Sequence, residues 1–270
     1  MPNIEGLSLT PLDVSKPPPH PFDMDAIFIS IDVEAWERNH NCITEVGVAT
    51  LDTRDLHGKP PGRAGVDWQK AVRGRHFRIL ENKHHHNFEF VRGCEEDFEF
   101  GESEFIGEKS MGNVLTSCFH EPFSKPASTS EVPQSTESEH ATKGSRNLIL
   151  LGHDVNQDIS YLHRLGFSPL NRGNLLECMD TSTMYRSYMQ EPNPRSLGGI
   201  LLHFDITAWH LHNAGNDAVY TIYAMLAVCV AEAESGDGAK KKRCDEAREQ
   251  RAGAAVEAAK ERVKEETEGW

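Results

Sequence analysis

The sequence predicts one α/β domain, a mixed sheet with helices packed on it. Three observations carry that reading. Ala26 to Val33 is a β-branched, apolar run of strand length. Asn147 to Leu151 is a second such run, far downstream. Asn216 to Val230 has an apolar face at helical period, long enough to cover a sheet.

Taken in order, residues 1 to about 24 are Pro-rich and aperiodic, which predicts a disordered leader. The folded domain is expected over 25–232. Ala26 to Val33 is its first strand. Ile43 to Leu51 alternates in part and is expected beside it through a hairpin. Asp55 to Gly65 is a Gly/Pro loop, within an insertion of about 55–75. His76 to Leu80 suits a third strand. The acidic aromatic run Glu95 to Glu108 is expected to be a solvated insertion. A Ser-, Thr- and Pro-rich stretch predicts a disordered insertion over about 120–146. Asn147 to Leu151 resumes the sheet, and Val155 to Leu165 reads as a helix stopped by Gly166. Leu175 to Met179 is a short strand ending at Asp180. Ser196 to Phe204 and Asn216 to Val230 are helices. Residues 233–270, rich in Ala, Glu, Lys and Arg, predict a charged helical tail with i,i+4 pairs.

A chain of 270 residues buries one good core. Its formal charge of −14 argues against a surface that coats polyanions. Bound cations invert the field of an acidic cleft, so a nucleic-acid enzyme stays open. None of the six cysteines forms a Cys-x-x-Cys pair, which suits reduced thiols of an intracellular protein, cytoplasmic or nuclear. The N-terminus has no basic-then-apolar signal pattern. The longest apolar run, Ile222 to Ala231, is about half a membrane span, so no membrane is expected.

The chemistry-bearing residues lie at the ends of these elements. Asp32 and Glu34 are separated by one residue, so on a strand both face the same side and reach one metal pair. Their hard oxygen atoms suit Mg²⁺ or Mn²⁺ rather than zinc. A strand ending in solvated acids looks the same in sequence. Asp154 and Asp158 are one turn apart and share a helix face, although Asp154 also fits a plain helix cap. His212 and Asp217 lie about 140° apart on a regular helix and do not share a face. That places His212 on the loop entering the helix and Asp217 in its first turns. A His there can act as a general base, and it can equally be an ordinary helix-entry residue.

Asp32-Val33-Glu34, then Gly152-His153-Asp154 with Asp158 to Leu162, then His212-x-Ala214-x-x-Asp217 together resemble the DEDDh class of 3′→5′ exonucleases in the ribonuclease-H-like superfamily. Ile43 to Gly47 and Met179-Asp180-Thr181 resemble its supporting segments. The resemblance covers about 26–231 without the insertions. One departure is Asp154, where the family often has Asn. The wording His-Asn-Ala-Gly-Asn-Asp and the segment Phe100 to Glu104 look most like a fungal subgroup, some members of which are linked to RNA metabolism or silencing. The resemblance implies a ribonuclease-H-like fold. Asp32, Glu34, Asp158 and Asp217 would hold two divalent ions, and His212 would take a proton from the attacking water. Glu34, Ala35, Trp36 and Asp154 would contact the substrate. That substrate would be the 3′ end of single-stranded RNA or DNA, RNA slightly preferred, with nucleoside 5′-monophosphates as products.

Three further features have two readings each. His84-His85-His86 reads as exposed loop, since no Cys completes a zinc set. Lys240 to Arg243 reads as part of a solvated helix face. Trp36 suits a stacking residue or a core anchor equally. The other functional readings are a non-catalytic nucleic-acid-binding or adaptor module on the same fold, and an endonuclease. The insertions and the C-terminal helix are the segments open to a protein partner.

Overall fold

A computed structural model describes residues 11–19, 24–123 and 146–236. The α/β class is what the sequence predicts. Six strands form one mixed sheet in the order β4-β3-β2-β1-β5-β6. They are β1 (Ala26–Trp36), β2 (Asn39–Asp52), β3 (Arg73–Ile79), β4 (Ser103–Ile106), β5 (Asn147–Gly152) and β6 (Leu175–Asp180). β1 runs antiparallel to β2, and β2 to β3, while β1 is parallel to β5 and β5 to β6. The helices are α1 (Val66–Gln69), α2 (Glu108–Cys118), α3 (Asn156–Arg164), α4 (Thr181–Met189), α5 (Leu197–His203) and α6 (Ala214–Gly236).

Alternation along β1 builds both faces. Ile27, Ile29, Ile31 and Val33 pack with Met111 and Leu115 of α2 and with Tyr161 and Leu162 of α3. On the opposite side, Ala49 and Leu51 of β2 pack with Ala218, Val219, Ile222 and Leu226 of α6. α4 and α5 add a further layer, where Tyr185, Leu197 and Ile200 pack against Tyr220 and Ala224 of α6. α6 is therefore buried nearly all round. By length and mean hydropathy (1.3) it meets the requirement of a membrane span, yet 83% of that stretch is buried within this fold. Burial between layers explains such a composition.

Several expectations need correcting. β1 and β2 continue past Val33 and before Ile43, and they close through a tight turn at Glu37 and Arg38, with Trp36 paired to Asn39. The run Glu95 to Glu108 is not simply a solvated insertion. Phe98 packs on His76, Phe100 joins the α6 cluster, and residues from Ser103 add β4 to the sheet edge, parallel to β3. The 55–75 insertion contains α1, whose Trp68 is buried and donates through Nε1 to the Lys59 carbonyl (3.0 Å). Part of the leader is docked: Leu12 N donates to the Ala233 carbonyl (2.9 Å) and Gly62 N to that of Val14 (3.0 Å). Most of the Ser/Thr/Pro insertion and nearly all of the charged tail, with Lys240 to Arg243, lie outside the described residues. Five cysteines are described, and all are free thiols.

Candidate active site

The site forms where the ends of β1, α3 and α6 meet. Asp32 and Glu34 sit on the α6 side of β1, because their neighbours Ile31 and Val33 fill the other face. Asp158, in the first turn of α3, is buried, and its Oδ1 accepts from Val33 N (3.1 Å). That bond ties α3 to β1 directly between the two carboxylates. Asp217 lies in the first turn of α6, and its Oδ2 accepts from His212 N (3.0 Å). Its other oxygen, Oδ1, is buried without a hydrogen-bond partner among the described residues. Ligand atoms of Glu34, His212 and Asp217 all lie within 4.8 Å of one another.

His212 stands on the loop entering α6, exposed at the rim, with φ of +65°. Histidine is among the few residue types enriched in that left-handed region. Partial burial of its ring lowers its pKa below the usual 6.5.

Burial and mutual repulsion raise the carboxylates. Asp32 is pushed well above its ordinary range, first by burial and then by Asp158, Asp217 and Glu34. Burial, with Glu45 and Asp217 next, pushes Glu34 to about 8. Asp158 is pushed to about 8 and Asp217 to about 7, again chiefly by burial. A buried, unpartnered oxygen inside a cluster of like charges is the donor set a hard divalent cation needs, and it leaves the bare site unstable.

This has a direct consequence for stability. A carboxyl whose folded pKa exceeds its unfolded value, about 4, binds its proton more tightly when folded. The bare protein is therefore expected to lose stability as pH rises between that value and the folded pKa of about 8. Thermal melting in EDTA from pH 5 to 8 should show a falling midpoint. Millimolar Mn²⁺ should remove the slope and add about 2.7 kcal/mol at one hundred times its Kd. An unchanged slope in Mn²⁺, or the same gain in Asp32→Ala, contradicts a metal site here.

The segment His212 to Asp217 fits the fold residue by residue. Asn213 caps α6 by accepting from Asn216 N (3.1 Å), and its Nδ2 donates to the Cys94 carbonyl (3.0 Å). Asn216 Oδ1 accepts from Glu99 N (2.9 Å), and Nδ2 donates to the Asp97 and His210 carbonyls. Both asparagines are fully buried. Gly215 has no room for a side chain, since a Cβ there would lie 2.6 Å from His76 Cβ. On β2, a Cβ at Gly47 would lie 1.8 Å from the Ala214 carbonyl oxygen. Gly47→Ala is thus expected to push the start of α6 off the sheet. Overpacking typically costs about 1–3 kcal/mol, and the upper end is expected here. A 1 Å shift of His212 and Asp217 can cost a further loss of about a hundredfold in rate. Urea unfolding and hydrolysis rates check both parts; wild-type behaviour in both would refute the close contact.

Sequence reasoning missed a fifth carboxylate. Glu45 pairs with Glu34 across the β1–β2 ladder and is buried. Its Oε2 accepts from the Ala214 amide (3.2 Å) and contacts His76 Nε2 (2.8 Å). The Ile43 to Gly47 segment stood out in the sequence, yet only the cross-strand register shows that Glu45 reaches the loop carrying His212.

The expected substrate residues divide. Glu34 lies inside the cluster. Ala35 follows it at a register shift, and its carbonyl accepts from Asn87 Nδ2 (2.9 Å). Trp36 is half-buried and stacks on His85, with ring centroids 4.1 Å apart, so that member of the histidine run is more than exposed loop. Asp154 is exposed with φ of +64°, a conformation that Asp and Asn tolerate. It does not cap α3, which starts later with Val155 as the capping residue. Asp180 instead holds the turn that leads into α3: its Oδ2 accepts from Asp154 N (2.6 Å) and Val155 N (3.2 Å) while its Oδ1 caps α4 at Thr183 N (2.9 Å). Asp154 therefore does not share the helical face of Asp158.

Carboxylates from a strand and two helix starts, on a mixed sheet, are the layout of a DEDDh-type exonuclease domain. Residues 27–228 match the DEDDh family described as DNA polymerase III subunit epsilon-like, C-terminal domain, and the chain belongs to that family. An uncharacterized nucleolar protein of Schizosaccharomyces pombe is 29% identical over 202 residues, covering 73% of this chain and 67% of that protein. Good for full DBP5 activity protein 2 of Saccharomyces cerevisiae is 28% identical over 221 residues, covering 76% of this chain but 35% of that protein. The match thus spans about two thirds of one relative and about a third of the other. Among solved structures, exonuclease I is similar with a TM-score of 0.44 at 11% identity, over 77% of this chain and 41% of that one. The RNase domain of yeast Pop2 has a TM-score of 0.40 at 10% identity, over 76% of each chain.

Proposed function

We propose that this protein is a metal-dependent 3′→5′ exonuclease that releases nucleoside 5′-monophosphates from single-stranded nucleic acid, RNA slightly ahead of DNA. The observation that carries the reading is the convergence of Asp32, Glu34, Asp158 and Asp217 beside His212, with Asp217 Oδ1 buried and without a hydrogen-bond partner among the described residues. The four carboxylates would hold two Mg²⁺ or Mn²⁺ ions. When bound, such ions neutralise the cluster and stabilise the attacking and leaving oxygens of an in-line displacement.

The side chains divide the remaining work. His212, its ring at the rim and its pKa lowered, is neutral at pH 7 and takes the proton of the attacking water. Asp217 Oδ2 holds the His212 backbone, so base and ligand stay in one frame. Glu34, Ala35 and Trp36, at the irregular end of β1, meet the terminal nucleotide, and Asp154, just past the end of the parallel strand β5, contacts it from the same end of the sheet. A nuclear setting agrees with the nucleolar name of the S. pombe relative.

The test uses 5′-labelled single-stranded RNA and DNA with Mg²⁺, Mn²⁺ or EDTA. The expected result is a ladder shortening from the 3′ end, metal-dependent and abolished by a 3′ block. Cleavage of the blocked strand would indicate an endonuclease, and binding without cleavage a non-catalytic module.

A further inference from the structure

Residues 87–93 form a closed loop on the rim of the site, and it presents two phenylalanines to solvent. Phe88 is 70% exposed and Phe90 is 76% exposed. The loop closes where Gly93 N donates to the Asn87 carbonyl (2.9 Å). One foot stands on the β1–β2 hairpin: Asn87 accepts from Glu37 N (2.9 Å) and donates to the Ala35 carbonyl (2.9 Å). The crest is pinned by the Glu37 carboxylate, which accepts from the amides of Phe88 (3.1 Å), Glu89 (2.9 Å) and Phe90 (3.0 Å). The other foot is Cys94, whose amide donates to the His212 carbonyl (3.2 Å) and whose carbonyl accepts from Asn213 Nδ2 (3.0 Å). The loop therefore bridges from the neighbour of Glu34 to His212, along the edge of the carboxylate cluster.

A single exposed apolar residue needs no explanation. Two phenylalanines on a loop whose backbone is held by a dedicated carboxylate are presented in a fixed arrangement. Flat apolar rings stack on unpaired bases whatever the sequence. The cationic groups such a ligand needs are adjacent. The Arg38 guanidinium lies 5.9 Å from the Phe88 ring centroid and pairs with Glu89, and Arg92 is exposed on the same loop. The rim adjoins both Ala35, next to Glu34, and His212, so it lies beside a strand whose 3′ end reaches them.

We infer that the 87–93 loop is a stacking platform for unpaired bases upstream of the cleaved phosphodiester, with Phe88 and Phe90 as the stacking side chains. The inference rests on the exonuclease reading and extends it to how the polymer is held.

The test is the double variant Phe88→Ala/Phe90→Ala, assayed in Mn²⁺ on a dinucleotide and on a single strand of about a dozen nucleotides, longer than one stacking site. Wild type should prefer the longer strand, and the variant should lose roughly tenfold or more of that preference, mainly through KM. Leu202→Ala, which removes another highly exposed apolar side chain, on α5, should keep the preference. An unchanged preference in the double variant, or an equal fall on both substrates, overturns the platform. If wild type hydrolyses neither substrate, the exonuclease reading fails separately, and the platform is then read by fluorescence anisotropy of the labelled strand. Binding weakened about tenfold in the variant supports it. Equal binding, or none by wild type, overturns it and leaves the phenylalanines to a protein partner.

Discussion

Asp158→Asn is expected to bring hydrolysis close to zero while the fold persists. The wild-type Oδ1 accepts from Val33 N, and the amide oxygen of Asn can make the same bond, so α3 stays joined to β1. What disappears is one negative charge of the proposed metal set. The loss should exceed about a hundredfold, beyond what partners of metal ligands typically cost. The same substitution removes a repulsive charge from a buried cluster in which Asp158 also raises Asp32 and Glu34. In EDTA at pH 8 the variant should therefore melt higher than wild type. Labelled-RNA digestion, circular dichroism and melting read the three expectations. A wild-type rate would reduce Asp158 to a joint between α3 and β1.

The second large effect belongs to His212. Its removal should slow hydrolysis by about 10² to 10⁴, the usual contribution of a general base. Alanine at a φ of +65° adds backbone strain of about 1–2 kcal/mol, so His212→Asn, better suited to that region, accompanies His212→Ala. Both should leave Mn²⁺ affinity by calorimetry nearly unchanged, because hard cations prefer oxygen. Proximity to Glu34 and Asp217 makes that a real test, and parallel loss of Mn²⁺ affinity would recast His212 as a ligand. The pH profile gives an independent reading. A general base acts when neutral, and burial lowers the His212 pKa. At saturating Mn²⁺, where protonation of the carboxylates does not limit the rate, activity should be full at neutral pH and fall on acidification with a midpoint below the ordinary 6.5. A midpoint above that value contradicts the assigned role.

Much of the framework was legible because it rests on strong local signals. β1, β5 and α6 carry long apolar patterns, and burial on both sides leaves no polar face to confuse the period. Beside the short α1, three elements were not legible. α2 has Gly112 at its centre and Ser, Asn and Thr on its surface, so its intrinsic helix preference is low. It forms because Met111, Leu115 and Cys118 fill the core, and because Gly112 lets it approach the end of α3, where a Cβ would lie 2.7 Å from the Leu165 carbonyl oxygen. β4 has four residues and exists as the partner of β3. α4 starts where Asp180, read as a strand end, also caps a helix and holds the turn before α3.

By itself, the sequence determined which residue types stand at the strand and helix ends: Asp32 and Glu34 on one strand face, Asp158 after β5, and His212 ahead of Asp217. Strand alternation and helical geometry fix such placements within a few residues, so local spacing suffices. Only the tertiary structure decided that these ends converge, that Glu45 and His76 stand behind the His212 loop, and that residues 87–93 reach from Ala35 to His212. Those relations depend on sheet register and on the close approach of α6 to Gly47, and their side-chain contacts join residues from 31 to 169 positions apart. No local pattern encodes them, because their energy comes from packing and from buried hydrogen bonds that exist only once the sheet and α6 have met.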